Sequence, residues 1–336
     1  MVERKPVLKQ QPARILDVAA LAGVSVGTAS KALNDTGQLS PATRERVRRA
    51  ADQLGFTPDT RGRALQSGRT FTVALLTTDS SGRFSNPIMR GVEDVLSAGE
   101  LATILCDTRD DPLREQHYLR SLAARRVDGI VVTGRRTEPR TPIDVSLPVV
   151  YALAASTDRA DTSVIVDEQQ GAASVVEHLR GLGRTRIAHV TGPDNHRSAA
   201  ERASGVVDHA GTIFAGEVLF GDWSEQWGRQ ATDLLLRRHP ELDAITCGSD
   251  QIARGACDRL RELGRAVPED IAVTGYDNWP VMALASRPPL TSVDLQLEEL
   301  GRHSAQLLLE AIAGTRRHGI LELPTRLVPR ESTLGL

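Results

Sequence analysis

Polar and aromatic residues stand at or just after the ends of several short apolar segments in this 336-residue chain. The candidate set is Asp79, Phe84, Asn86, Trp223, Ser249 and Asp277. Because ligands of open α/β sheets bind at the carboxyl ends of the strands, these side chains are expected to surround one pocket. Carboxylates bind hydroxyl groups, and a solitary tryptophan offers its face to the C–H surface of a sugar ring. The pattern predicts binding of a small polar ligand, with a sugar as first choice.

The sequence does not indicate a catalytic site. The chain has no G-x-S-x-G, HExxH, P-loop or GxGxxG motif. Its eight histidines are scattered, and His189 is expected to be a core residue with satisfied hydrogen bonds. The three cysteines form no CxxC pair, which is typical of reduced thiols in the cytosol. We therefore expect no enzymatic activity, no cofactor and no metal ion.

The elements that must position the candidate ligand-binding residues alternate along the chain from Phe71 onward. Short apolar segments predict strands at 72–76, 103–105, 129–132, 148–150, 164–166, 186–190, 244–246 and 271–274. Amphipathic segments predict helices at 89–97, 113–125, 168–182, 227–238, 251–263 and 297–313. Wholly apolar strands that alternate with helices indicate parallel sheets covered on both faces. The body is too long for a single sheet, and two α/β subdomains are expected.

Charge divides the chain into a basic first part and an acidic remainder. Residues 1–69 contain twelve Lys/Arg and six Asp/Glu, a net charge of +6, whereas the remainder has a net charge of −8. A basic segment of this kind indicates contact with a polyanion. The first residues are polar and include two prolines, and no run of 18 apolar residues occurs. Neither a signal peptide nor a membrane span is expected.

The basic part predicts three short helices. Ile15–Ala22 has an apolar stripe at helical spacing, and Gly23 allows a sharp turn after it. Ser25 is a good N-cap for a second helix that runs to about residue 34. Ser40-Pro41 begins a third helix, which ends at Leu54-Gly55. This order predicts an all-α helix-turn-helix headpiece.

The motifs of this headpiece resemble the DNA-binding part of the lactose-repressor (LacI) family. They are Asp17-Val-Ala-x-x-Ala-Gly-Val-Ser25, then Thr28-x-Ser30-x-x-Leu33-Asn34, Ser40-x-x-Thr43-Arg-Glu-Arg-Val47 and Leu54-Gly-Phe-x-Pro58. The resemblance implies that the second helix enters the major groove of DNA. It makes Val26, Gly27 and Lys31 the base readers, and Ser25, Thr28, Ser30 and Asn34 the residues that contact the backbone. Gly27 departs from the pattern, because it has no side chain to read a base.

The resemblance also implies a hinge helix after Pro58, in which Arg61 and Arg63 approach phosphates and Leu65 wedges into the minor groove. We expect Leu65→Ala to lose most operator-specific affinity, because the bent DNA would lose its wedge, while the headpiece still folds. Binding of the variant to operator and to random duplex, measured by fluorescence anisotropy, checks this. Unchanged operator affinity would contradict a hinge role.

The same resemblance continues through the body. It rests on Val127-Asp-Gly-Ile-Val131, Glu177-His-Leu-x-x-Leu-Gly183, Pro268-Glu-Asp-Ile-Ala-Val-x-Gly-Tyr-Asp277 and Pro289-Leu-Thr-Ser-Val293. It implies a two-lobed body of the periplasmic-binding-protein type I class, and it makes Arg202 a ligand-clamping residue. Two departures weaken the ligand assignment: Tyr151-Ala152 stands where members often carry Val-Asp, and Leu295 replaces a polar residue. A purine or another small metabolite therefore stays an alternative to a sugar.

The sequence as a whole predicts a DNA-binding transcription regulator, expected to be a repressor, under the control of a small ligand. The expected domains are the headpiece at 13–57, the hinge and linker at 58–70, and the effector-binding and dimerisation body at 71–336. Within the body, the N-lobe is expected at about 71–165 and 295–322, and the C-lobe at about 166–293 and 324–336. Helix-turn-helix dimers read palindromic sites, so a homodimer on a palindromic operator in the cytoplasm, associated with the nucleoid, is expected.

Two matters stay open at this stage. The sign of the ligand effect does not follow from the residues, so release and promotion of DNA binding are both possible. An exported type of solute-binding protein without DNA function is the alternative class, which the basic headpiece and the lack of an apolar leader oppose.

Overall fold

The computed structural model describes residues 13–33, 37–56, 69–97 and 101–335. The chain divides into two compact units, Met1–Thr70 and Phe71–Leu336. No single helix in the described ranges is long and apolar enough to cross a membrane, although the bent pair Ile15–Ala22 and Val26–Leu33 passes the same test of length and composition.

The first unit is a bundle of three helices built around alanine and valine. They are α1 (Ile15–Ala22), α2 (Val26–Leu33) and α3 (Pro41–Leu54). Small buried residues such as Ala19 and Ala29 allow the helices to approach closely. Gly23 adopts φ 63° between α1 and α2, which meet at 100°. The helix-turn-helix layout expected from the sequence is confirmed.

The first lobe of the second unit is a six-stranded sheet with helices on both faces. Its strand order is β11-β5-β4-β3-β1-β2, and every neighbouring pair is parallel. Helices α4 and α11 pack on one face, and α5 covers the other. The elements are β1 (Thr72–Thr77), α4 (Ser85–Ser97), β2 (Ala102–Asp107), α5 (Pro112–Ala124), β3 (Gly129–Thr133), β4 (Val149–Ala152), β5 (Thr162–Val166), α11 (Leu297–Ile312) and β11 (Gly319–Leu323).

The second lobe repeats this plan with a sheet in the order β12-β10-β9-β8-β6-β7. All its pairs are parallel except the edge pair β12 with β10, which is antiparallel. Helices α6 and α7 pack on one face, and α8 and α9 on the other. The elements are α6 (Glu168–Gly181), β6 (Ile187–Thr191), α7 (Arg197–Ala210), β7 (Phe214–Phe220), α8 (Glu225–Arg238), β8 (Ala244–Cys247), α9 (Asp250–Glu262), β9 (Ala272–Tyr276), α10 (Pro280–Ala283), β10 (Thr291–Asp294), β12 (Arg326–Val328) and α12 (Glu331–Leu334).

The chain passes between the two lobes at three places. It leaves the first sheet after β5, returns to that lobe after β10 to form α11 and β11, and crosses again before β12. Each lobe is therefore made from separate stretches of sequence. The two-lobed α/β class expected for the body is confirmed. The predicted strands and helices are all present with ends within four residues, whereas α7, α10, α12, β7, β10, β11 and β12 were not among them.

Candidate functional site

Helix α2 presents the candidate DNA-contacting residues on its outer side. Ser25, Val26, Gly27 and Lys31 are exposed, whereas Ala29 and Ala32 are buried against the other helices. Thr28 and Ser30 are half-buried. This division leaves one polar side of the helix open to a partner while the other side holds the bundle together.

The hydroxyl of Ser25 begins α2. It accepts a hydrogen bond of 3.1 Å from the Thr28 N–H and lies 2.9 Å from the Thr28 hydroxyl oxygen, which confirms the predicted N-cap. Arg14, at the start of α1, donates its own N–H to the Asp17 carboxylate at 2.8 Å. Asp17 thereby accepts the N–H of the N-cap residue, as the acid at the third helical position of a capping box does. Asn34, Arg61, Arg63 and Leu65 lie outside the described residues.

The second unit contains a cleft of about 320 Å³ between its two lobes. Both lobes contribute to its lining, which comprises Asp79, Ser81, Arg83, Phe84, Arg135, Arg136, Thr137, Glu138, Leu153, Glu168, His196, Ser198, Arg202, Trp223, Ser249, Asp277 and Leu295. Of the candidate ligand-binding residues, only Asn86 is absent from this lining. It lines a neighbouring groove instead, because the first turn of α4 carries it away from the cleft.

Arg202, on α7, is the centre of a buried ionic network. Its guanidinium donates to both oxygens of Glu168 at 2.8 and 2.9 Å and to the Gly248 carbonyl at 2.6 Å. It also lies 3.2 Å from Asp277 Oδ1 and 3.9 Å from the centroid of the Tyr276 ring. Burial opposes its charge, but the carboxylates of Glu168 and Asp277 outweigh that effect and raise the pKa of Arg202 above its ordinary value. The guanidinium therefore stays protonated in the fold.

Glu168 and Arg83 belong to this network and were missed in the sequence. Glu168 is 3 % exposed at the start of α6. Arg83 comes from the first lobe, where its guanidinium donates to Asp277 Oδ2 and, at 2.7 Å, to Gln251 Oε1, both in the second lobe. The same guanidinium lies 5.0 Å from the Phe84 ring centroid and 4.6 Å from a Trp279 ring centroid. Arg83 thus fastens one lobe to the other beside the cleft.

Asp277 is held in an unusual backbone conformation at the end of β9. Its φ is 92°, a region that side-chain-bearing residues rarely occupy. Its N–H donates to the Val293 carbonyl at 2.8 Å, and both carboxylate oxygens meet guanidinium groups. Such strain persists only where neighbouring contacts hold it, and it is concentrated at binding sites.

Asp79 serves mainly to begin helix α4. Its Oδ2 accepts from the Phe84 and Ser85 N–H groups at 2.7 and 3.0 Å, and its Oδ1 accepts from the Ser81 hydroxyl at 2.7 Å. Burial alone would raise the pKa of Asp79, but these hydrogen bonds from Ser85, Ser81 and Phe84 lower it below its ordinary value. Asp79 therefore shapes the wall of the cleft with a carboxylate whose oxygens already have donors.

Trp223 lies against the second lobe with its face toward Arg202. Its ring centroid is 5.8 Å from the Arg202 guanidinium carbon, and its indole N–H donates to His196 Nδ1 at 2.8 Å. A Cβ on Gly192 would stand 2.1 Å from the Trp223 ring, so only glycine leaves room for the indole there. Ser249 accepts from the Ile252 N–H at 3.3 Å and begins α9. Both Trp223 and Ser249 line the cleft.

His189 occupies the buried centre of the second lobe. Its Nδ1 is 2.8 Å from the Thr246 hydroxyl, but its Nε2 is buried with no hydrogen-bond partner among the described residues. The expectation of a fully satisfied core histidine is therefore wrong at one nitrogen. Burial lowers the pKa of His189 to about 3; the Thr246 hydrogen bond raises it and the Arg202 charge lowers it further.

Replacing His189 with glutamine is expected to change the dependence of stability on pH by removing one titrating group. The unfolded chain takes up a proton near pH 6.5 that the folded protein does not accept until about pH 3. As the pH falls below 6.5, the unfolding free energy of the wild type should therefore fall relative to that of the variant by up to about 1.4 kcal/mol per pH unit.

Urea unfolding of both proteins at pH 7, 6 and 5 measures this difference. Asp250, whose pKa burial raises to about 7, has the opposite pH dependence, but it is present in both proteins and cancels. Parallel curves for the wild type and the variant would contradict the assignment.

Comparisons with known proteins agree over nearly the whole chain. Residues 14–59 match a model described as bacterial regulatory proteins of the lacI family, and residues 176–333 match a periplasmic binding protein-like domain. The HTH-type transcriptional regulator CelR of Thermobifida fusca is 34% identical over 98% of both chains. The ribose operon repressor of Halalkalibacterium halodurans is 32% identical over 96% of this chain and 97% of the relative.

Solved structures extend the agreement to three dimensions. A complex of the transcriptional regulator CelR with cellobiose has a TM-score of 0.67 and 32% identity, covering 95% of this chain and 99% of that one. The lac repressor dimer bound to operator and the anti-inducer ONPF has a TM-score of 0.73 and 27% identity, covering 96% and 100%.

Proposed function

The chain belongs to the LacI family of bacterial transcription regulators, and from this premise we propose that a sugar bound between the two lobes controls its affinity for DNA. The protein is a sequence-specific DNA-binding regulator with an effector-responsive body, and it acts as a homodimer on operator DNA. We assign it no catalytic role, because the relatives are themselves transcription regulators. Its target being chromosomal DNA, we place it in the cytoplasm.

The proposed division of labour follows the two units. Residues 13–57 form the headpiece, 58–70 the hinge and 71–336 the body. On α2, Val26 and Lys31 approach base edges, while Ser25, Thr28 and Ser30 position the helix on the phosphates. The exposed outer side of α2 supports this assignment. Gly27 offers only its backbone, so a base pair opposite it is read weakly or not at all.

One observation carries the choice of a sugar. The cleft lining places the indole of Trp223 beside the guanidinium of Arg202, so an apolar ring adjoins hydrogen-bond donors and acceptors from both lobes. Sugar rings have the same combination, with C–H faces and hydroxyl edges. The cleft volume of about 320 Å³ is in the usual range for small-ligand sites. The complex of the relative CelR with cellobiose supports the same class of ligand.

The test titrates the full-length protein with cellobiose, ribose and glucose while its tryptophan fluorescence and its binding to operator fragments are followed. Genomic fragments selected by gel shift provide the operator. We expect at least one sugar to bind wild type and to change operator affinity by about 5- to 150-fold, a coupling typical of allosteric proteins. The variant Trp223→Ala should lose that sugar but still bind operator. Equal sugar affinity with and without operator would reject coupling, and no preference for any fragment would reject the regulatory function.

A further inference from the structure

Helix α7, which carries Arg202, lacks a capping side chain of its own. Its N-cap residue is His196, whose side chain makes no hydrogen bond to the helix. The His196 Nδ1 instead accepts the indole N–H of Trp223 at 2.8 Å. The first N–H groups of a helix need acceptors from elsewhere, and the helix dipole favours a negative charge at this end.

The missing acceptor comes from the opposite lobe. Glu138 lies in the loop that follows β3, and its Oε1 accepts the N–H of Arg197, the first residue of α7, at 2.8 Å. A carboxylate of the first lobe therefore caps a helix of the second lobe. The contact spans the two lobes, so a movement that separates Glu138 from Arg197 would break it and would remove an acceptor from the helix that positions Arg202.

The second carboxylate oxygen of Glu138 has no hydrogen-bond partner among the described residues. Oε2 is buried and accepts no hydrogen bond from the described part of the chain. The hydroxyl of Thr137, the preceding residue, is also buried without a hydrogen-bond partner there. Both residues line the cleft. An unpaired buried carboxylate oxygen is costly, and a donor that arrives in the cleft removes this cost.

We propose that Glu138 is a ligand-recognition residue of this cleft, with one carboxylate oxygen capping α7 across the lobes and the other accepting a hydrogen bond from a ligand hydroxyl. The inference rests on the proposed function, because it concerns the same cleft and the same sugar. It also narrows the ligand. A hydroxyl group fits at Glu138, whereas a carboxylate or phosphate placed there meets a like charge, so neutral sugars should bind better than their acids.

The ligand-free arm of the test measures amide hydrogen exchange in full-length protein. Glu138→Ala should speed exchange in the first turn of α7, because the cap is removed, whereas Glu138→Gln keeps an oxygen for it and should stay close to wild type. Glu115→Ala is the matched control: this first-lobe carboxylate pairs with Arg140 at 2.8 Å and lines a neighbouring cavity but not the cleft. Unchanged exchange in Glu138→Ala would overturn the cap.

The ligand arm uses calorimetry with cellobiose, ribose and glucose, and with gluconate and glucuronate as acidic counterparts. We expect the sugar that binds wild type to bind Glu138→Ala about 10- to 100-fold more weakly, and Glu115→Ala equally well. Equal affinity for Glu138→Ala, or preference of wild type for an acid, would overturn ligand recognition by Glu138. If wild type binds none of these compounds, the sugar assignment and this contact both fail, and faster exchange in Glu138→Ala would still establish the cap.

Discussion

Replacing Arg202 with methionine is expected to lower the unfolding free energy of the body by about 3–5 kcal/mol and to abolish the response to sugar. The guanidinium is 4 % exposed and is the shared partner of Glu168 and Asp277. Methionine fills much of the same space but leaves Glu168 without its cation and Asp277 with only that of Arg83, and a buried charge without a partner is far more costly than an exposed one. Urea unfolding followed by circular dichroism measures the loss.

A second substitution separates charge from packing. The double variant Arg202→Met, Glu168→Gln should recover part of the lost stability, because one uncompensated charge disappears with the glutamate. The control Arg186→Met removes an exposed arginine that pairs with Glu241 at 2.7 Å, and its unfolding midpoint should match wild type. A single Arg202→Met variant as stable as wild type would show that the network contributes nothing to the fold.

Replacing Arg83 with leucine should favour the open form of the body by roughly 10- to 100-fold. The substitution removes charge-assisted hydrogen bonds from Arg83 to Asp277 and Gln251, which join the lobes. Since the proposed sugar would bind between closed lobes, its dissociation constant should rise by a similar factor. Small-angle X-ray scattering without ligand should show a larger radius of gyration, which returns to the wild-type value at saturating sugar.

Arg90 provides the matched control for this experiment. It lies on α4, a short distance along the chain, and pairs with Glu298 at 2.7 Å on an exposed surface. Arg90→Leu should leave both the scattering curve and the sugar affinity unchanged. If Arg83→Leu also scatters like wild type and binds sugar as tightly, Arg83 does not hold the lobes together.

The buried strands were predictable because their signal is local. Gly129–Thr133 and Ala272–Tyr276 are buried at every position, and each reads as a short apolar segment between helices. The edge strands β7, β11 and β12 were not predicted, for the opposite reason. Phe214–Phe220 and Gly319–Leu323 are largely half-buried or exposed, so apolar and polar residues alternate only weakly along them. No local sequence pattern therefore predicts these strands. Helix α7 is rich in alanine and serine, and its apolar stripe is correspondingly faint.

The candidate site likewise contains residues that the sequence predicted and residues that only the fold brings into it. Asp277 and Trp223 could be found because each stands alone after an apolar segment, and Arg202 was found through the family resemblance. No sequence feature distinguishes Glu168, because it follows the helix-capping Asp167 and resembles an ordinary acidic residue in the first turn of a helix. Its role appears only when the fold brings it to Arg202, 34 residues away in sequence. Arg83 meets Asp277 across 194 residues, a separation that no local pattern reports.

The three passages of the chain between the lobes also govern the order in which the protein can be completed on the ribosome. The first lobe needs α11 and β11, and both are synthesised after β6–β10 of the second lobe. Most of the first sheet must therefore wait, with the face that α11 covers still open, while the later lobe emerges. A nascent chain halted near residue 295 would hold an almost finished second lobe beside an unfinished first one. At that stage a chaperone would have the largest uncovered face of the first sheet to protect.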